Sequence, residues 1–381
     1  MSDIPAGLYI HIPWCVRKCP YCDFNSHEFG GQLQEESYLL ALQQDISKEA
    51  QRFKHRTINS VFFGGGTPSL FSAMGIGRIL EMVAANFHVA TNAEVTLEAN
   101  PGTVEQKKFS AFRAAGVNRI SLGIQSFDDK HLSALGRIHS AEEAQRAIRS
   151  IIDAGFERWN LDLMHGLPNQ TQAEAIIDLH TALAFKPSHL SWYQLTIEPN
   201  TVFYSAQPSL PNEDILADIQ DAGHTLLASN GLMQYEVSAY ASSGERCQHN
   251  LNYWQFGDYA ALGAGAHGKF SVDESDGFTV GRYWKQRQPN TYMSEADKEA
   301  GRRNLTGQDL AFEFMLNALR LIEGFKIELF EARTRLPYSS IAATIEQLIH
   351  DGLLENNQQR ISATALGQRF LNDVTARFLD E

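Results

Sequence analysis

Three of the four cysteines in this 381-residue chain stand within eight positions, as Cys15, Cys19 and Cys22 of the segment YIHIPWCVRKCPYCDF, residues 9–24. Thiolates gathered this closely serve as redox pairs or as ligands to soft metals. The pair CPYC has the spacing of a dithiol redox site, in which a helix start lowers one thiol pKa. That leaves Cys15 without a role. Three thiolates with His11, Asp23 or His27 could instead close a tetrahedral zinc site. Against that, the Cys-x3-Cys-x2-Cys spacing departs from paired knuckles, and no second knuckle follows. A third chemistry is a [4Fe–4S] cluster, whose four irons need four terminal ligands. Three cysteines leave one iron open to a small molecule.

Further polar residues close successive apolar runs. The run SVFFGG ends in GGGTP (64–68), where missing side chains let a ligand approach the backbone. Glu98 ends a run in TLEANP, Gln125 in SLGIQS and Asp162 in NLDLMHGLP. Each has a plain reading as a turn or a satisfied strand end. Their succession after the thiol strand fits a (β/α) barrel, whose chemistry gathers at the C-terminal ends of its strands.

The elements that must hold these residues alternate. Strand-like runs near 8–12, 60–65, 93–101, 118–126, 159–166 and 189–198 are each followed by helical patterns, among them 34–53, 75–87, 103–115, 140–154, 171–184 and 213–230. Such repetition predicts parallel strands with crossover helices, and six units are too few for an eight-fold barrel. The expected fold is α/β: a partial (β/α)6 barrel with a small C-terminal α+β domain of winged-helix type. Residues 1–285 are expected to form the barrel and a loop-rich extension, 286–304 a polar boundary segment, and 305–381 the C-terminal domain.

With 32 basic and 45 acidic residues the chain carries a net charge of −13, which argues against a broad nucleic-acid surface. Residues 301–381 hold nine Lys/Arg against eleven Asp/Glu, so the winged-helix-like segment lacks the charge of a DNA reader. The start MSDIPAGLYI has no secretory pattern and no apolar run would span a bilayer. A cytoplasmic location with reduced thiols is expected.

The segments YIHIPWC…KCPYCDFNSH, FFGGGTPS, TLEANPGT, GIQSF, LDLMHGLPNQT and HNLNYW together resemble the HemN-like branch of radical S-adenosylmethionine (SAM) proteins. Within it they are more similar to the heme chaperones than to the oxygen-independent coproporphyrinogen III oxidases. The oxidase motif places a further cysteine where this chain has Phe24, and oxidases carry an N-terminal extension, whereas seven residues precede Leu8 here. The resemblance implies a radical SAM fold, with a HemN-type C-terminal domain, and a [4Fe–4S] cluster on Cys15, Cys19 and Cys22 chelated by SAM. It implies SAM contacts at Tyr9, Gly65 and Glu98, and contacts to a second SAM, as in the oxidases, at Tyr21, Gly66, Thr67, Gln125, Arg137 and Asp162.

It also implies heme as a ligand, with His249 as an axial imidazole and Tyr253 and Trp254 as flat apolar contacts. A hydrogen-bonded loop histidine is the plain alternative for His249, His267 is a second imidazole, and Cys247 is read as a small buried apolar residue. Arg246 or Lys269 would meet the propionates. The implied role is a carrier that passes heme to apo-hemoproteins such as respiratory enzymes, with peripheral contact at the inner membrane and room for a homodimer. The alternative is a radical SAM oxidase acting on a tetrapyrrole.

Overall fold

The computed structural model describes residues 4–102, 108–274 and 277–379. Six strands follow one another in parallel: β1 (Ala6–Ile12), β2 (Thr57–Gly65), β3 (His88–Ala99), β4 (Arg119–Gln125), β5 (Arg158–His165) and β6 (His189–Gln194). Between them run α1 (Glu35–Arg52), α2 (Ala73–Asn86), α3 (Phe109–Ala114), α4 (Ala141–Asp153) and α5 (Gln172–Leu183), and α6 (Glu213–Ser229) follows β6. Of the helix expected over 103–115, residues 103–107 lie outside the described residues.

Local chemistry explains these elements. Helices α4 and α5 start on capping boxes, Ser140 with Glu143 and Thr171 with Glu174, which satisfy donors that a helix start leaves bare. Helix α4 buries Ala144, Ala147, Ile148 and Ile151, one face at helical spacing. Strand alternation then sorts side chains between two layers. Leu8, Ile10 and Ile12, Val61 and Phe63, Leu97, Ile120 and Leu122, Leu161, and Leu190 enter one core with the helices. Their sequence neighbours Tyr9, Glu98, Gly123, Asp162, Ser191 and Tyr193 line cavities on the other side.

The sheet extends beyond the six units. Past β6 lie the antiparallel strands β7 (Met233–Glu236) and β8 (Ala239–Ala241), with β8 against β6. On the other flank β9 (Asp258–Leu262) runs parallel to β1, pairing Ala6 with Asp258 through Ile10 with Leu262. Antiparallel strands β10 (His267–Glu274), β11 (Gly277–Lys285) and β12 (Glu299–Asn304) continue outward, giving a twelve-stranded sheet. Residues 286–304, expected as a polar boundary segment, contribute a short helix, Pro289–Ser294, and the edge strand β12. Helix α7 (Gln248–Trp254) packs on β1 and β2.

After residue 305 come α8 (Gly307–Ala318), α9 (Ile327–Thr334) and α10 (Ala342–His350), with a three-stranded antiparallel sheet, β13 (Phe325–Lys326), β14 (Leu354–Asn357) and β15 (Arg360–Ala363). Their core takes in Phe256 and Val280 of the larger body. Among the described residues no helix is long and apolar enough to cross a membrane.

Candidate functional site

The thiols lie in the loop that leaves β1. Trp14 and Cys15 pair with His27 and Glu28 as a two-residue parallel bridge that closes it. Inside, Lys18 Nζ donates to the carbonyl oxygens of Phe24 at 3.1 Å and Ser26 at 3.4 Å. Cys15, Cys19 and Cys22 are free, half-buried and line one cavity of about 330 Å3.

Each sulfur meets a polar group. Thr67 Oγ1 donates to Cys15 Sγ at 3.6 Å, Arg137 Nη1 to Cys19 Sγ at 3.5 Å, and Ser26 Oγ lies 3.6 Å from Cys22 Sγ. Asn100 ties two of these together. It donates to Thr67 Oγ1 at 2.8 Å and accepts from Arg137 Nη2 at 2.6 Å. Burial pushes the Cys15 thiol up to about 11, against the Thr67 hydrogen bond. Donors to sulfur favour the thiolate that a metal requires.

This arrangement discriminates among the thiol chemistries. Tetrahedral zinc thiolates stand about 3.8 Å apart. The three sulfurs here are not all within 4.8 Å of one another; among the described residues only Asp128, His131 and Glu174 bring ligand atoms that close. Cys19 and Cys22 sit in a turn rather than at a helix start, so the feature that activates dithiol redox motifs is missing there.

The glycines serve the protein itself. A Cβ at Gly65, where φ is +116°, would lie 2.6 Å from the His11 ring, and one at Gly66 would lie 2.5 Å from the Trp14 carbonyl oxygen. Gly66 and Thr67 donate their N–H groups to the carbonyls of Ile12 and Trp14 at 2.8 and 2.7 Å. The end of β2 is thus fused to the thiol loop, and the open sides of Gly65 and Gly66 still line the cavity.

Glu98 faces the same cavity and accepts from the Gly65 N–H at 3.2 Å. Burial first, then the nearby Asp162, push it up to about 8. Asp162 is itself raised by burial, and accepts from Ser121 and Asn160 at 2.8 Å each. Gln125 has φ of 73° at a register shift in β4, and Tyr193 donates to its Oε1 at 2.8 Å. Tyr21 and Arg137 complete the wall. Thr67 and Arg137 each donate to a thiol sulfur, and Arg137 Nε is buried without a hydrogen-bond partner among the described residues.

A second cavity, of about 570 Å3, shares Phe24, Gly65 and Glu98 with the first and holds Tyr9, Tyr253, Tyr259, His267 and Trp284. Phe24 is 63% exposed. Tyr9, expected as a SAM contact with Gly65 and Glu98, lines this second space with them, its hydroxyl 3.0 Å from His11 Nδ1.

The HNLNYW segment is divided. His249 is 1% exposed, its Nδ1 2.9 Å from Ser60 Oγ and its Nε2 2.8 Å from the Tyr253 hydroxyl. It packs on Phe62 at 4.9 Å, and burial pushes it down to about 3. Both ring nitrogens are hydrogen-bonded, the arrangement that the plain reading of His249 describes. Trp254 lies under the Arg320 guanidinium at 4.3 Å and lines neither cavity. Only Tyr253 of the three expected heme residues faces one. Cys247 is buried, as its apolar reading implied, and also donates to Glu94. Glu94 also accepts from the N–H groups of Gln248 and His249 at 3.0 and 3.2 Å, capping α7. Arg246 pairs with Glu323 at 2.9 Å on the surface, and Lys269 with Asp258 at 2.9 Å out of water.

Sequence reasoning missed Asn100, Tyr193, Tyr259 and Trp284. Asn100 and Tyr193 follow positions that were singled out, two residues beyond Glu98 and on the next strand end. Tyr259 and Trp284 gave no signal, because their strands join the sheet far from their sequence neighbours.

Residues 9–182 match the Radical SAM superfamily and residues 305–370 the HemN C-terminal domain. The chain is 46% identical over 381 residues to "Heme chaperone HemW" of Haemophilus influenzae, covering 99% of this chain and 98% of that one. It is likewise 46% identical over 377 residues to "Heme chaperone HemW" of Escherichia coli, covering 99% of each. In fold it is similar to the Escherichia coli coproporphyrinogen III oxidase HemN, with a TM-score of 0.82 and 22% identity, over 99% of this chain and 90% of that one. Identity of this order along essentially the whole length shows that the chain belongs to the HemW family of the radical SAM superfamily.

Proposed function

We propose that this chain holds a [4Fe–4S] cluster on Cys15, Cys19 and Cys22, binds SAM beside it, and carries heme to apo-hemoproteins. The observation that carries the cofactor reading is the convergence of three half-buried thiols on one cavity with Glu98 and Gly65. Bound there, the cluster and SAM would supply one-electron chemistry. The chain's own part is to hold the sulfurs as thiolates through Thr67, Ser26 and Arg137. Its other part is to offer Glu98 to an ammonium or hydroxyl group. The remaining polar wall, Tyr21, Gln125 and Asp162, would supply the contacts to a second SAM.

The heme role is supported by relatives at 46% identity that are named heme chaperones and by an aromatic cavity adjoining the thiols. Respiratory enzymes as recipients, a cytoplasmic location with membrane contact, and self-association are extensions of the same reading. Phe24, standing where the oxidases place a cysteine, favours the carrier over the oxidase.

Anaerobic reconstitution with iron count, EPR and hemin titration on one sample tests the proposal. About four irons per chain, lost in Cys15→Ser, Cys19→Ser and Cys22→Ser alike, and stoichiometric hemin uptake are expected. Catalytic formation of protoporphyrinogen from coproporphyrinogen III, with SAM and a reductant, would overturn the carrier in favour of the oxidase.

A further inference from the structure

One imidazole outside both cavities is buried without a purpose in the chemistry above. His131, on the short helix Asp129–Ala134 that follows β4, is 0% exposed, and neither of its ring nitrogens has a hydrogen-bond partner among the described residues. Leaving a buried polar group unmatched is expensive, and folded chains seldom do so idly. Two carboxylates face the ring. Asp128, in the loop that leaves β4, and Glu174, in the first turn of α5, each bring an oxygen to it, the three ligand atoms all within 4.8 Å of one another.

The spacing is that of ligands sharing an ion. His131 Nε2 stands 3.6 Å from Glu174 Oε2, longer than a hydrogen bond. Nitrogen and oxygen ligands at about 2.0–2.2 Å from a tetrahedral zinc lie roughly 3.3–3.6 Å from each other. The imidazole and the carboxylate are therefore placed as neighbours around a common centre rather than as partners of one another.

Both carboxylates are held in place from behind. Glu174 Oε2 accepts from the N–H and hydroxyl of Thr171 at 2.8 and 2.9 Å. Asp128 Oδ1 accepts from the Lys130 N–H at 2.8 Å, and its Oδ2 has no partner among the described residues. Asp178, one turn beyond Glu174 and buried, accepts from the Phe127 N–H and the Ser126 hydroxyl at 2.7 Å each. Ser126 Oγ in turn accepts from the Asp128 N–H at 3.0 Å. Helix α5 thus supplies one carboxylate and, through Asp178, sets the loop that carries the other, as outer partners do in metal sites. The nearby cation, Lys130, is 3.5 Å from Glu174 Oε1 and 62% exposed, so it can withdraw into water.

We infer that Asp128, His131 and Glu174 bind one divalent transition-metal ion, zinc by its affinity for imidazole and carboxylate together, with water completing the shell. Two carboxylates and a neutral imidazole balance its charge. The service is structural. Residues 126–136 separate Gln125 from Arg137, which both line the thiol cavity, and the ion would tie that stretch of wall to α5.

Zinc added to the full chain after anaerobic reconstitution, followed by dialysis, metal analysis and zinc X-ray absorption, tests the assignment. About one zinc per chain is expected, in a shell of nitrogen and oxygen at about 2.0–2.2 Å with no sulfur at about 2.3 Å. Sulfur in that shell would put the zinc on the cysteines and overturn the site. Asp128→Asn, which keeps the Oδ1 acceptor, and His131→Gln should each bind zinc about tenfold or more weakly, with circular dichroism showing that each is folded. Zinc should raise the melting temperature of the unaltered chain and leave that of Asp128→Asn where it was. Undiminished zinc affinity in both variants, or no zinc retained by the unaltered chain, would refute the inference.

Discussion

Glu98 sits out of water beside Asp162 with one N–H donor, and its carboxyl is raised from an ordinary 4.5 to about 8. A carboxyl raised in this way favours folding fully below its unfolded value, and that contribution is lost as pH rises through about 8. Glu98→Gln is therefore expected to stabilise the ligand-free chain at pH 8, by on the order of a few kcal/mol, with the gain shrinking toward pH 5. Urea unfolding across that interval checks the sign; an equal effect at both ends would refute it. SAM, by contrast, should bind the same variant more weakly. At pH 7 the unaltered chain should release a proton as SAM's ammonium arrives, seen as a calorimetric enthalpy that varies with the buffer's ionisation heat. A residue held at such cost to the empty fold is a sign of ligand service.

At the scale of elements, the join between β2 and the thiol loop is the sharpest constraint. Gly66→Ala would drive a Cβ to 2.5 Å from the Trp14 carbonyl and 2.9 Å from the Pro13 carbonyl carbon, and backbone cannot yield as a side chain can. Reconstituted iron should fall well below that of the parent, with a lower melting temperature. Gly30→Ala, where a Cβ meets nothing within 4 Å, is the control and should change neither. These glycines, Glu98, Gln125 and Asp162 were legible because strand alternation and strand-end position are local properties. The fate of His249 was not. Its burial depends on Ser60 and on Glu94, which caps its helix from β3, contacts that no sequence period encodes. Strand β12 was equally hidden, since EAGRRN is polar and its only sheet neighbour is β11.

Across the whole molecule, the C-terminal unit meets the floor of the thiol cavity at Glu236, through a backbone bridge from Leu321 and the side chain of Arg320. Arg320 donates to Glu236 at 3.1 Å and covers Trp254, and Glu236 lines that cavity. Removing the guanidinium leaves a carboxylate 3% exposed without its cation, so Arg320→Ala should cost on the order of 2 kcal/mol. Thermal unfolding of the full chain measures this; no shift would show the two units to be energetically independent there. The place of β1 has another consequence. It lies between β2 and β9, so one flank of the strand bearing the thiol loop stays bare until Asp258–Leu262 have been made. On a ribosome, the first twelve residues must wait for some 250 more before they are enclosed on both sides. An iron–sulfur cluster held by that loop would therefore be assembled on a chain that has already grown past Leu262 rather than on its first strands.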